Sequence, residues 1–157
     1  MPEVTKHYAV DLTRLDTAVY RATNSAGASI EFGSGEGLLS PVELLLAAVA
    51  GCSAVDVDVV TSRRAEPESF DVHVEGDRVN EDGASRLSEV RVGFDLTFPD
   101  TPEGNQARKL VDNLIRISHE KDCTVSRTVE NPTLVEFSND SKKLPGVIAR
   151  HAVSLQR

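Results

Sequence analysis

The sequence contains no Trp, a single Met and only 4% aromatic residues. Its core must therefore be built from Leu, Val, Ile and Ala. It also lacks an excess of basic residues, because 17 Lys and Arg stand against 25 Asp and Glu and give a formal charge of −8. Nucleic acids and anionic membrane surfaces attract clustered Lys and Arg, so we expect neither as a partner.

Long uninterrupted apolar runs are also missing. The longest run, residues 44–60, is broken by Gly51, Ser53, Asp56 and Asp58. It is short beside the roughly 20 residues that a membrane-spanning helix needs. The opening stretch MPEVTKHYAV contains no apolar segment of the kind found in secretory signals. We therefore expect no transmembrane helix and a cytoplasmic protein.

The order of the predicted elements indicates an α+β fold. Strands are predicted at residues 6–12, 18–23 and 28–32, a helix at 40–64, a hairpin at 70–80 and 90–98, a helix from 101, a short helix at 125–129 and a strand at 133–137. Strands that occur in runs favour antiparallel sheets over a parallel α/β sheet. The pattern predicts a single domain over residues 1–138 and leaves 139–157 as a C-terminal extension of uncertain structure.

The helix at residue 40 has a strong start signal. Ser40 is placed as the N-cap, Pro41 at the first helical position and Glu43 at the third, which completes a capping box. The middle of the helix, LLLAAVAGCSAV, is apolar on every side and must be buried all round. One small sheet covers only one side of such a helix, so we expect a second copy of the chain to cover the other.

The chain has two cysteines, too few for a disulfide framework in a reducing compartment. They are either two buried apolar residues, as free Cys commonly is, or a working pair. Cys52 lies in the middle of the apolar helix, where burial raises the pKa of a thiol, and Asp56 one turn later would raise it further. A reactive Cys52 therefore requires a cation, such as an Arg, from elsewhere in the protein. Cys123 follows the predicted helix that begins at residue 101. The apolar positions of that helix recur at helical spacing, and Ser118 is the last residue in the series.

A metal site built from Cys52, Asp56, His119 and Cys123 is a further alternative. The spacing His-x3-Cys occurs in zinc sites, but here it stands alone, so we expect no metal. The sequence also lacks the GxSxG, HExxH and GxGxxG motifs.

Two segments resemble the OsmC/Ohr family of osmotically inducible and organic hydroperoxide resistance proteins. The stretch SPVELLLAAVAGCSAVDV resembles the first cysteine helix of the family, in which the Cys lies eleven residues after a Pro, as Cys52 follows Pro41. The stretch HEKDCTVSRTVE resembles the second cysteine segment, in which an apolar residue, a Ser and a basic residue follow the Cys. The matching residues are Cys123, Val125, Ser126 and Arg127. The resemblance covers about residues 5–138.

The resemblance implies antiparallel sheets around a long buried central helix and an intertwined homodimer with active sites where the subunits meet. It also implies a thiol peroxidase that reduces organic hydroperoxides in the response to oxidative stress. Cys52 would be the attacking thiolate and Cys123 the resolving thiol. Arg21 would hold the thiolate, and Glu43 would orient that Arg. An external dithiol would reduce the enzyme, and no cofactor is implied.

The sequence departs from the peroxidase pattern in two ways. No N-terminal Arg lies in a recognisable motif, so Arg21 is chosen from its place in the second predicted strand, before the turn at residues 24–27. The acid near the Pro is also shifted. In that pattern an acid directly follows the Pro, whereas here Val42 follows it and Glu43 comes one residue later. One residue turns a side chain by about 100° around a helix. The motif Pro-apolar-Glu-Leu-Leu resembles a divergent branch of the family. The shift favours an alternative function, a non-catalytic dimeric binding module that holds a hydrophobic small molecule, with the cysteines in the pocket wall.

Overall fold

The structure is a computed structural model that describes residues 2–141 and 146–151. The chain divides into two compact units, Met1–Ala47 and Ala48–Arg157. The predicted α+β class is confirmed, because antiparallel sheets are combined with three α-helices.

The first unit contains a three-stranded antiparallel sheet in the order β1-β2-β3, formed by β1 (Val10–Asp16), β2 (Val19–Asn24) and β3 (Ser29–Gly33). The turn between β2 and β3 is held by Asn24, whose side-chain oxygen accepts hydrogen bonds from the backbone N–H groups of Ala26 and Ala28. The prediction of a first strand at 6–12 was wrong by several residues. Pairing with β2 sets its position, since Val10 lies opposite Asn24 and Asp16 lies opposite Val19.

The long helix α1 (Pro41–Thr61) begins where the sequence predicts. Its capping box is confirmed: the Ser40 N–H donates to the Glu43 carboxylate at 2.6 Å, and the Glu43 N–H donates to the Ser40 hydroxyl at 3.2 Å. The helix ends at Thr61 and not at Arg64, because the Arg64 N–H donates to the Thr61 carbonyl and closes the chain into a turn.

By length and composition α1 is also long and apolar enough to cross a membrane, although a core helix of a soluble protein meets the same criteria. In the single chain α1 is buried on one side only. Val49 and Val57 are in the core, whereas Val55 and Val59 are 61% and 50% exposed. Burial all round the helix therefore stays a prediction about the assembled protein.

In the second unit, the predicted hairpin consists of β4 (Ser69–Glu81) and β5 (Ala84–Thr97). Its side chains alternate as expected, with apolar residues on the more buried face and charged residues on the exposed one. On the exposed face Arg91 pairs with Glu75, Asp77 and Glu89. On the other face Phe70 and Phe94 meet edge to face with ring centroids 6.3 Å apart.

The helix α2 (Pro102–Ile117) follows the hairpin and is capped by Thr101, whose hydroxyl accepts a hydrogen bond from the Gly104 N–H. A π-helical turn, Ser118–Asp122, continues it directly, and the short helix α3 (Thr124–Glu130) begins after Cys123. The sequence predicts α2 and α3 but not the π-helical turn. Such turns are rare and often lie at functional sites.

The chain closes with β6 (Val135–Ser138), which pairs antiparallel with β7 (Val147–His151). The sequence predicts a strand at 133–137 and leaves open whether 147–155 is a strand or a helix. Residues 147–151 form a strand, and residues 152–155 lie outside the described residues. The assignment of 139–157 to a separate extension stays a prediction.

Candidate functional site: two cysteines beside an apolar pocket

The second unit brings the two cysteines together. Cys52 lies in the middle of α1, and Cys123 lies between the π-helical turn and α3. Both are free thiols, and they lie close enough for each to shift the pKa of the other. Cys52 is partly exposed, whereas Cys123 is fully buried at 0% exposure. The two side chains therefore lie close together, and one of them is accessible from outside.

Burial raises the pKa of the Cys52 thiol, and so do the neighbouring Cys123 thiol and the negative charge of Asp56 one turn later. The nearby Val125 N–H acts against these effects and lowers the pKa. The sequence predicts the directions of the burial and Asp56 effects correctly. A thiolate at this position would need a positive charge beside it.

The Cys123 thiol has the opposite tendency. Burial is the largest single influence and acts to raise its pKa, but the hydrogen bonds that its sulfur accepts together outweigh burial and lower the pKa. The neighbouring groups that lower it are Ser126, Cys52 and Ser53. The Ser126 hydroxyl also donates to the Cys123 carbonyl at 3.4 Å. The Ser126 N–H lies 3.3 Å from the sulfur, because Cys123 is the N-cap residue of α3.

A polar cluster lies beside the cysteine pair. The Ser118 hydroxyl donates to the Asp56 carboxylate at 2.6 Å and lies 3.2 Å from the Ser53 hydroxyl. Ser118 begins the π-helical turn and is 1% exposed. Its carbonyl accepts the Cys123 N–H at 2.8 Å, so the turn that buries Ser118 also positions Cys123.

An apolar pocket lies beside the two cysteine segments and is lined by residues near each cysteine in the chain, not by the cysteines themselves. It encloses about 740 Å³ of empty space, part of which is open to solvent. Its apolar lining consists of Val49, Val90, Val92, Phe94, Ile115 and Val129. Its polar lining includes Ser53 and Ser126, which connect it to the cysteine pair, and His119 and Glu130, which lie 3.6 Å apart. The pocket suits an apolar molecule that reaches toward the thiols.

The other two predicted site residues, Arg21 and Glu43, lie in the first unit. Arg21 is on β2 and pairs at 2.6 Å with Glu31, which lies opposite it on β3. Glu43 closes the capping box, and the hydrogen bonds from the Ser40 backbone and side chain lower the pKa of its carboxyl. Their roles toward Cys52 stay predictions.

Sequence reasoning missed the roles of Ser53 and Ser118. The sequence does carry a signal for Ser118. It continues the helical spacing of the apolar residues of α2, and a hydroxyl buried at such a position needs a hydrogen-bond partner. In residues 2–141 and 146–151, no three His, Cys, Asp or Glu side chains converge as the ligands of a metal ion would.

The family model described as OsmC-like protein matches residues 33–138. No curated protein matches. Among solved structures, a hypothetical protein from Aquifex aeolicus is 24% identical, with a TM-score of 0.64 over 80% of this chain and 89% of that one. An OsmC-like protein of unknown function from Vibrio cholerae is 15% identical, with a TM-score of 0.65 over 81% and 96%.

An organic hydroperoxide resistance protein from Legionella pneumophila is 16% identical, with a TM-score of 0.54 over 82% of this chain and 93% of that one. At such identities these three structures establish a shared fold. The family model covers most of the chain and spans both cysteines. This chain therefore belongs to the OsmC-like protein family.

Proposed function

We propose that this protein is a thiol-dependent peroxidase that reduces organic hydroperoxides through Cys52 and Cys123. The observation that carries the proposal is the proximity of the two free thiols next to an apolar pocket. The hydroperoxide resistance protein among the similar structures supports a peroxide-related role. In a protein without a disulfide framework, two thiols close together are suited to reversible oxidation.

The accessibility of the two thiols supports the assignment of their roles. The partly exposed Cys52 thiolate attacks the outer peroxide oxygen, the O–O bond breaks, and the alkoxide takes up a proton and leaves as an alcohol. Cys52 is then a sulfenic acid. The Cys123 thiol attacks the Cys52 sulfur, water leaves, and a disulfide protects Cys52 from further oxidation. An external dithiol reduces the disulfide and restores both thiols.

The raised pKa of Cys52 sets a requirement for this chemistry. A guanidinium beside the sulfur would favour the thiolate by charge and by hydrogen bonding. We propose Arg21 for this role, with Glu43 as the acid that orients it. Arg21 is already engaged with Glu31, so the role requires that it share or exchange this partner.

We propose a homodimer as the working form, present in the cytoplasm and independent of nucleic acids and membranes. Large apolar side chains remain exposed in the single chain, among them Val10 and Leu12 on β1 and Val55 on α1, at 63%, 56% and 61%. Sedimentation at micromolar concentration should give a mass near twice 17.0 kDa. A monomer at that concentration would contradict the dimer.

The pocket also supports a second candidate, a module that binds a hydrophobic molecule without chemistry. The raised pKa of Cys52 favours this candidate. The two are separated by incubating the protein with an organic hydroperoxide and a dithiol. Consumption of the peroxide supports the peroxidase. Inertness toward several hydroperoxides, together with stable binding of a fatty acid, gives the function to the binding module.

A further inference from the structure

Ser118 joins α1 to the backbone of Cys123. Its hydroxyl donates to the Asp56 carboxylate at 2.6 Å, and its carbonyl accepts the Cys123 N–H at 2.8 Å. Ser118 is 1% exposed, so both bonds lie away from water, where hydrogen bonds are stronger. A single buried residue therefore holds the long helix with its side chain and the second cysteine with its main chain.

Cys52 and Asp56 share one face of α1. They are four residues apart in an uninterrupted helix, a spacing that places two side chains on the same side of it. A bond that fixes the π-helical turn to Asp56 therefore also fixes that turn relative to Cys52. The turn leads directly into Cys123, whose sulfur accepts the Ser126 N–H at 3.3 Å and is thereby oriented at the start of α3.

Asp56 works against the attacking thiol in another respect. Its negative charge raises the pKa of Cys52 and so reduces the fraction of thiolate at neutral pH. An apolar residue would continue the pattern of the helix and would not have this effect. The hydrogen bond that the carboxylate accepts from Ser118 therefore explains Asp56 better than any benefit to Cys52.

We propose that Asp56 and Ser118 are positioning residues that hold Cys123 beside Cys52 for disulfide formation. The proposal rests on the proposed function of the cysteines, in which Cys52 attacks and Cys123 resolves. Neither positioning residue takes part in the bonds that form or break, because both act through the backbone of Cys123. Attack by one sulfur on another requires a defined approach, and a misplacement of about 1 Å can slow a reaction about a hundredfold.

The test replaces the peroxide with diamide, an azo compound, so that it does not depend on peroxidase activity. The Cys52 thiolate adds to one nitrogen of the N=N bond, and the other nitrogen takes up a proton. Cys123 then attacks the Cys52 sulfur, the S–N bond breaks, and the departing hydrazine takes the proton that Cys123 gives up. Rapid acid quenching and mass spectrometry of the full-length protein measure the formation and the loss of the adduct separately.

Ser118→Ala should slow the loss of the adduct by about tenfold to a hundredfold and leave its formation near the wild-type rate. Asp56→Ala should slow the same step less, because the Ser53 hydroxyl lies 3.2 Å from the Ser118 hydroxyl and can accept its proton instead. Asp56→Ala added to Ser118→Ala should slow the step no further than Ser118→Ala alone, since the bond between the two residues is already gone.

Asp56→Asn separates the hydrogen bond from the charge. The Asn side-chain carbonyl can still accept the Ser118 hydroxyl, so the loss of the adduct should stay near the wild-type rate. Its formation should accelerate, because the charge that raises the Cys52 pKa is gone. The matched control is Ser62→Ala, which removes an exposed, local hydrogen bond of 2.7 Å to Asp58, and both steps should then match the wild type.

A wild-type rate of adduct loss in Ser118→Ala would overturn the positioning role. So would equal slowing of that step in Asp56→Asn and Asp56→Ala, or failure of diamide to join Cys52 and Cys123 in the wild type. If Ser118→Ala does not fold, Asp56→Ala and Asp56→Asn carry the test. The expected pattern with diamide, combined with inertness toward hydroperoxides, would reject the peroxidase and leave the positioning role standing.

Discussion

The two cysteine segments differ in how they hold a thiol. Cys52 lies within an uninterrupted helix, is partly exposed and has a raised pKa. Cys123 lies at a break between two helical segments, is fully buried and has a lowered pKa. An unbroken helix leaves no backbone N–H free for a side chain, whereas the start of a helix does. The Cys52 thiolate therefore needs hydrogen-bond donors or positive charge from outside α1. The Cys123 sulfur accepts a backbone N–H from the helix that it caps.

Replacing each cysteine should separate the two roles and gives the largest expected effect. Cys52→Ser should reduce hydroperoxide turnover to background, because no other thiol is accessible in the described residues. Cys123→Ser should consume one equivalent of peroxide and stop with a sulfenic acid on Cys52. Stopped-flow peroxide consumption and mass spectrometry of the trapped sulfenic acid measure these outcomes. Sustained turnover in Cys52→Ser would contradict the assignment of Cys52 as the attacking thiol.

Removing the proposed cation should slow the reaction of Cys52 with peroxide and leave the reaction of Cys123 unchanged. Arg21→Ala should slow the first reaction with peroxide by about tenfold to a hundredfold, because a hydrogen bond to a charged group contributes about 1.5–3 kcal/mol. Disulfide formation from the Cys52 sulfenic acid should keep its rate. Arg14→Ala is the matched control, since Arg14 lies on the neighbouring strand and hydrogen-bonds to Thr17. Equal rates in both variants would exclude Arg21.

Removing either thiol should move the pKa of the other toward its ordinary value. In Cys123→Ala the pKa of Cys52 should fall, because the neighbouring Cys123 raises it. In Cys52→Ala the pKa of Cys123 should rise, because the neighbouring Cys52 lowers it. Wild-type reaction with peroxide should accelerate as pH increases through the Cys52 pKa. Thiolate ultraviolet absorbance across a pH series measures the titrations, and unchanged curves would contradict the proximity of the two thiols.

The smallest expected effects concern Glu43 and separate its two roles. Glu43→Gln keeps an oxygen that can accept the Ser40 N–H but removes the charge, whereas Glu43→Ala removes both. If Glu43 only caps α1, Glu43→Ala should lower Tm slightly and both variants should turn over normally. If it orients Arg21, both should lose turnover while Glu43→Gln keeps its Tm. Thermal unfolding and peroxide assays of the same preparations distinguish these outcomes.

The sequence predicts the elements whose signals are local. Ser40 and Glu43 mark the start of α1, and strict alternation marks β4 and β5, because caps and pleats depend on neighbouring residues. Pairing between strands decides the bounds of β1, which the sequence therefore misplaces. The π-helical turn has no simple sequence signal.

The residues of the site likewise divide into those that the sequence indicates and those whose contacts depend on packing. The resemblance of two motifs indicates that Cys52 and Cys123 belong together, but not how they contact each other. Ser118 and Asp56 are 62 residues apart, so their hydrogen bond depends on how the π-helical turn packs against α1 and not on spacing. The opposite tendencies of the two thiols likewise depend on the fold. Cys123 is the N-cap residue of α3 and accepts the Ser126 N–H, a position that the sequence does not mark.

The most direct test of the account is a non-reducing peptide map of the wild-type protein after one equivalent of an organic hydroperoxide. The account predicts that the peroxide is consumed, that one equivalent of alcohol appears and that the peptides containing Cys52 and Cys123 are recovered joined by a disulfide. Intact peroxide with both thiols still free in the folded protein would contradict it.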